Sequence, residues 1–326
     1  MRIDRNLAKS RSTRTLRKAT SFRYNGRQTV QRKTKNYSVR STIGRVANIT
    51  KTRVGNSKNI THRVENNSIK ASPIQWTDFT VNFWMGCNRV SAACKYCYMY
   101  RDMRKYGRNP EKVVRTSDAI FKKALKLEGR QRIFTCSWSD FFHSKADSWR
   151  EDAYAVIRAT PQHFWQILTK RPENIKSHLP SDWGNGWEQV WLGVTVENQK
   201  CADLRIPQLL KTPSKVKFLS VEPLLGPVKL PHLREIDWVI VGGESGNENG
   251  DFRYRPCQVE WLQSIVDQCA AAGVPCFVKQ LGTHLYHELN LSDRHGGSNP
   301  DEWPEGLRVR HMPSVYEQAM AQVGVQ

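Results

Sequence analysis

The chain has 326 residues, 39% of them hydrophobic and 25% charged, with a formal net charge of +21. That length allows one large domain or two small ones, with a core that needs no disulfide staples. No apolar run approaches the roughly 18 residues of a spanning helix, which excludes a membrane-embedded protein, and no early apolar segment resembles a secretory signal.

The charge is uneven. Residues 1–71 hold 19 Lys and Arg against Asp4 and Glu65, leaving 32 bases and 28 acids in the other 255 residues. The basic balance therefore describes an extension, and the rest is close to neutral. Residues 1–71 lack a sustained apolar period and read as disordered. Such a segment suits a polyanion-binding arm, which makes nucleic acid a candidate partner. An Arg- and Ser-rich transit peptide, or a dispensable extension from an early start codon, fits the same composition.

From Ile74 onward, short apolar runs predict seven strands: Thr80–Trp84, Arg132–Cys136, Phe164–Leu168, Val190–Val196, Val216–Val221, Trp238–Val241 and Pro275–Val278. Helical spacing marks Asp118–Leu127, Ser148–Ala159 and Val259–Ala272, and more weakly Asn198–Leu210, which Pro207 interrupts. The Leu224–Ile236 connection is Pro-rich and poorly helical. Strands alternating with helices predict an α/β fold with a parallel sheet. A (β/α) barrel, a partial TIM barrel of six to seven units, leads; a doubly wound open sheet is second. The predicted organisation is a basic extension (1–71), a barrel (72–285) and a C-terminal tail with a short helix (286–326).

Barrel chemistry sits at the C-terminal strand ends. Polar residues recur there: Ser137, Ser139 and Asp140 after the second strand, Thr169, Lys170 and Arg171 after the third, and Glu197 and Asn198 after the fourth. Glu222 follows the fifth strand, Gly242-Gly243-Glu244-Ser245 the sixth, and Lys279 and Gln280 the seventh. Any one alone reads as a solvated loop residue. With Cys87, which follows the first strand after Gly86, these make seven in succession at one rim and predict a site.

All eight cysteines lie between Cys87 and Cys276. That density is too low for a disulfide scaffold, and clustered cysteines in a reducing, cytoplasmic compartment suit metal ligation. Cys87, Cys94 and Cys97 form a C-x6-C-x2-C set. Three thiolates fit an iron–sulfur cluster with one open iron, or a zinc site completed by His143 or Cys136. The scattered cysteines, among them Cys201, Cys257, Cys269 and Cys276, read as small buried hydrophobes.

The run Cys94-Lys95-Tyr96-Cys97 resembles the second half of the radical S-adenosylmethionine motif. The first spacing departs from it, because Val90 stands where the usual first cysteine would be, and the Gly-Gly-Glu run follows the sixth strand instead of the second. Across residues 74–282, the tracts Ile74–Asp78, Ser137–His143, Leu168–Pro172, Leu192–Asn198, Ser220–Pro227, Asp237–Gly246 and Phe277–Gln280 resemble, in order, the phage protein family called gp thirty-seven/sixty-eight. That resemblance implies a radical-SAM-like TIM barrel with no known substrate. It implies that Cys87, Cys94 and Cys97 hold a [4Fe–4S] cluster whose open iron chelates S-adenosyl-L-methionine. A reductant such as flavodoxin or ferredoxin would supply the electron.

Tyr96, Glu197, Glu222, Gly242, Gly243 and Glu244 are then candidates for holding the cofactor. Lys170 and Lys279, with Arg171, are candidates for an anionic group, and Asp140 and His143 for proton transfer. The plain alternatives are a charge network closing the barrel mouth and ordinary loop packing. A nucleotide or nucleic acid is the candidate substrate. Two other classes stay open: a zinc-stabilised nucleic-acid-binding protein without activity, and a metal-free phage structural protein.

Overall fold

The computed structural model describes residues 71–250, 252–293 and 295–323. The basic extension, and with it the nucleic-acid reading of residues 1–70, lies outside them. Nine strands are present among the described residues: β1 (Phe79–Val81), β2 (Trp84–Met85), β3 (Val114–Arg115), β4 (Arg132–Thr135), β5 (Phe164–Thr169), β6 (Val190–Thr195), β7 (Val216–Val221), β8 (Trp238–Gly242) and β9 (Cys276–Gln280). The α-helices are α1 (Tyr98–Lys105), α2 (Asp118–Phe121), α3 (Asp147–Arg158), α4 (Ile175–His178), α5 (Gln199–Leu210), α6 (Val259–Ala272), α7 (Thr283–Glu288) and α8 (Ser314–Val323).

Seven strands form one sheet in the order β1-β4-β5-β6-β7-β8-β9. Every neighbouring pair is parallel. Each crossover steps one strand in the same direction, and a fixed crossover hand then puts the helices on one face. The sheet curls around its other face into a partial barrel, an α/β fold of seven units.

Both faces are apolar, which is why the strands read as continuous apolar runs. Ile133, Trp165, Ile167, Leu192, Val194, Leu219, Val239 and Val241 pack in the core cluster on the helix side. Alternate positions on the same strands, Phe134, Phe164, Trp191, Phe218, Trp238 and Phe277, fill the concave side with Trp76 and Met312. Gly193 belongs to this face, and a Cβ there would stand 2.6 Å from the Phe218 ring. On α8, Tyr316 packs edge-on against Phe164 and Trp191, with centroids 5.6 and 6.3 Å away. The barrel is thus plugged with aromatic rings towards its strand starts, which leaves the C-terminal rim as its open end.

Four expectations change. The strand expected over Thr80–Trp84 is broken: Asn82 turns out to receive the Trp138 amide on its Oδ1 (2.9 Å), and Trp84 pairs with Arg115 in a separate two-stranded sheet. The helix expected over Asp118–Leu127 ends at Phe121 and continues as a 3₁₀ turn over Lys123–Lys126. Its buried residues Phe121, Ala124 and Leu127 recur every three positions, the 3₁₀ period. Helix α5 runs through Pro207 without a break. The segment after α7, expected as a tail, packs closely: Trp303 and Leu307 are buried, and residues 309–311 bond to the free edge of β9 (Val278 N to Val309 O and His311 N to Cys276 O, both 2.8 Å). That covers an edge otherwise open to strand addition.

Candidate functional site

The cysteine loop, residues 86–97, leaves β2 at Gly86 and enters α1 through Cys97, the N-cap residue. Gly86 has φ +94°, and a Cβ there would meet the Lys112 carbonyl. Only glycine fits that combination of left-handed backbone and close approach.

The loop is tied across the open rim by groups from four strand ends. After β4, the Trp138 carbonyl accepts from Gly86 N (2.9 Å) and Ser139 Oγ donates to the Gly86 carbonyl. After β5, Arg171 donates to the Asn88 carbonyl (3.0 Å). After β6, Glu197 Oε1 receives Ala93 N (3.4 Å). After β8, Arg255 donates to the Ala92 carbonyl (2.9 Å) and lies over the Tyr96 ring, 5.3 Å from its centroid. The loop is therefore draped over the barrel mouth.

Each anchor is itself held. Glu197 is wholly buried and pairs with Arg205 at 2.8 Å, while Arg205 also donates to the Thr195 carbonyl (2.7 Å). Burial alone would raise the Glu197 carboxyl; Arg205, Ser91 and Lys170 outweigh it and hold it below the ordinary value. Glu244 takes a two-pronged guanidinium from Arg255 (2.5 and 2.7 Å) and the Arg255 backbone amide (2.9 Å). Its carboxylate is thus engaged in clamping the loop. Gly243 lies so close to Leu281 that a Cβ would come within 2.1 Å of its carbonyl, and Gly242 leaves room for the Glu222 carboxylate. Glu222 and Lys279 pair at 2.6 Å, both partly exposed at the mouth.

Asp140 and His143 also have protein partners. Asp140 Oδ1 accepts from Phe142 N (3.0 Å) and Thr169 Oγ1 (2.7 Å), and Oδ2 accepts from Lys170 N (2.9 Å). His143 Nδ1 accepts from Lys145 N (3.1 Å), so its proton sits on Nε2, which donates to Asn88 Oδ1 (3.0 Å). Burial, then the Arg171 charge, lowers the His143 pKa and keeps the ring neutral. Both side chains are thus bonded to the rim and the loop.

The three cysteines are free thiols. Cys94 is within electrostatic reach of both Cys87 and Cys97. Burial pushes the Cys87 thiol up to about 12, aided by Asp140 and opposed by Arg171. Burial likewise raises Cys97, with Lys170 opposing. As they stand, no three His, Cys, Asp or Glu side chains among the described residues converge tightly enough for one metal ion. Tetrahedral zinc gathers its donors around one point, whereas a cubane spreads its thiolates over separate irons. The proposed fourth zinc ligands are engaged elsewhere: His143 by the bonds above, and Cys136 by full burial behind the rim. Three thiols on one rim loop are donors of a kind that either metal group takes.

Lys170 is the remaining group. Burial would lower its pKa, but Cys94, Cys97, Glu197 and Asp140 together hold it above the ordinary lysine value. Its ammonium forms no salt bridge among the described residues. The arrangement thus offers three thiols, a cation within electrostatic reach of two of them, and the Glu222–Lys279 pair, whose carboxylate is within reach of Tyr98 beside Cys97. Sequence reasoning missed Arg205 and Arg255, the partners of Glu197 and Glu244. For Arg205 a signal existed, since it sits on the inner face of the helix that follows Glu197; for Arg255 there was none.

No helix among the described residues is long and apolar enough to cross a membrane. No curated protein sequence matches the chain. Among solved structures the chain is similar to a doubly substituted spore photoproduct lyase with bound AdoMet and dinucleoside spore photoproduct, at 14% identity and a TM-score of 0.38, over 66% of this chain and 60% of that one. The family model described as "Protein of unknown function (DUF5131)" matches residues 71–317, and the chain belongs to that family.

Proposed function

We propose that the protein is a radical S-adenosylmethionine enzyme whose [4Fe–4S] cluster is held by Cys87, Cys94 and Cys97. The observation that carries this reading is the cysteine loop itself, bonded by Glu197, Arg171, Arg255 and the turn after β4 across the open end of the barrel. When bound, the cluster would supply one electron and S-adenosylmethionine would accept it, which together would furnish radical chemistry for hydrogen abstraction from the substrate.

The chain's own residues do the rest. Lys170 offsets the negative charge of the thiolates and binds the cofactor's carboxylate. Glu222 and Lys279 face the mouth as a paired acceptor and donor for the cofactor's or substrate's polar groups. Gly242 and Gly243 let that ligand approach the β8 backbone, and Tyr96, fixed by Arg255, shields the loop. Asp140, His143, Glu197 and Glu244 are positioning residues. A flavodoxin- or ferredoxin-type donor, and membership of the phage-associated family read from the tracts above, belong to the same proposal.

The test is metal analysis and EPR on protein prepared without oxygen. The expected result is about four irons and four sulfides per chain, with a reduced signal that S-adenosylmethionine perturbs and that Cys97→Ala abolishes. Stoichiometric zinc without iron would overturn it.

A further inference from the structure

The near-neutral part of the chain conceals one concentrated charge. Residues 72–326 hold 32 bases and 28 acids, yet residues 86–117 alone hold eight Lys and Arg against Asp102 and Glu111. That short stretch is the cysteine loop, α1 and the turn to β3. Helix α1 buries Met99, Tyr100 and Met103 on one side. Its other side carries Tyr98, Arg101, Arg104 and Lys105, and the chain turns at Gly107 (φ +66°) into a segment that bears Arg108 and Lys112.

Asp102 is taken up by Arg101 at 2.7 Å. Lys105, Arg108 and Lys112 are exposed and meet no carboxylate among the described residues. Two aromatic rings are displayed on the same segment, Tyr98 at 42% and Tyr106 at 66% exposure. Tyr100 buries its ring, whereas Tyr106 holds no bond through its hydroxyl among the described residues and leaves its ring open. The row begins next to Cys97, and at that end the Tyr98 hydroxyl donates to the Ser137 carbonyl on the rim (2.8 Å).

We propose that this face binds a single-stranded nucleic acid and delivers it to the barrel mouth. Lys105, Arg108 and Lys112 neutralise phosphates, Tyr106 stacks on a base, and the strand runs along α1 towards Tyr98. Basic side chains alone would suit any polyanion. Exposed rings interleaved with them select a single strand, whose base faces are open for stacking. The role of that strand as substrate rests on the function proposed above; the binding face does not.

The experiment is fluorescence anisotropy of labelled oligothymidylate and oligouridylate with the full chain, over a salt series. Residues 1–70 are the same in every variant, so their basic charge cancels. The exposed triple variant Lys105→Gln, Arg108→Gln, Lys112→Gln should bind at least about tenfold more weakly. Its slope of log affinity against log salt should be shallower by about 2, from about 0.7 per phosphate contact. Tyr106→Ala should lose about fivefold or more with its slope unchanged. The charge-preserving Lys105→Arg, Arg108→Lys, Lys112→Arg variant should bind like the parent. Binding of the Gln variant within about twofold of the parent overturns the proposal. So does equal binding of a duplex with indifference to Tyr106→Ala, or equal competition by polyglutamate. Cys94→Ala should bind normally, so failure of the cluster and failure of this face are separable.

Discussion

Arg205→Met tests whether the cysteine loop is anchored from inside the barrel. In the folded chain Glu197 is fully buried, and Arg205 is 6% exposed and 2.8 Å away. Removing one member of a buried pair leaves an uncompensated charge, at about 3–5 kcal/mol. The lost bond to the Thr195 carbonyl adds about 1 kcal/mol. A domain of this size loses about 2–4 °C of melting temperature per kcal/mol, so the total of about 4–6 kcal/mol should lower the melting temperature by roughly 8–24 °C at pH 7. The sign with pH follows from Glu197. Its folded pKa is depressed, so its contribution is present above the unfolded carboxylate value, about 4.3, and is lost as pH falls through the folded one. The gap between parent and variant should therefore close in acid, where the stranded carboxylate is protonated. The double variant Glu197→Gln, Arg205→Met should recover most of the loss, because no charge is stranded. Thermal melts of the three proteins from pH 7 to pH 4 give the answer. A loss below about 1 kcal/mol at pH 7, or one that does not change with pH, would refute the argument.

Gly243→Ala should destabilise the rim by more than about 2 kcal/mol, since its Cβ would meet the Leu281 carbonyl at 2.1 Å; Gly226→Ala, with nothing within 4 Å, should melt like the parent. His143 is held neutral in the fold, its pKa lowered, so it contributes stability above about 6.5 that is lost as pH falls through the folded value. His143→Gln should flatten the pH dependence of the melting temperature in that range. Lys170→Met should keep its iron but bind S-adenosylmethionine about ten- to a hundredfold more weakly by calorimetry, the worth of one charge-assisted contact. Equal loss of iron and cofactor would make Lys170 structural.

The strands of the barrel were legible because most of their positions are buried on both faces, which leaves runs such as VWLGVTV and VKFLSV dominated by apolar residues. The rim was legible for the same reason: the first polar residue after each run marks the strand's C-terminal end. Helix α1 was not, because the cysteine spacing dominates the reading of that stretch. Thr80–Trp84 looked like one strand because Asn82 leaves the sheet through bonds to residues 137 and 138, more than fifty positions away. The same non-locality hid the roles at the rim. Glu197, Glu244, Asp140 and His143 all look like free chemical groups in sequence, and each has a partner that only the fold brings close. Lys170, Glu222 and Lys279 remain the charged rim candidates for contact with a ligand.

The most direct test is reductive cleavage of S-adenosylmethionine. Protein reconstituted without oxygen would be mixed with the cofactor and a strong one-electron reductant, and 5′-deoxyadenosine would be measured by chromatography. The account predicts that the parent forms 5′-deoxyadenosine and that Cys87→Ala, Cys94→Ala and Cys97→Ala each abolish it. An iron-loaded parent that forms none, or a Cys94→Ala protein that forms as much as the parent, would contradict it.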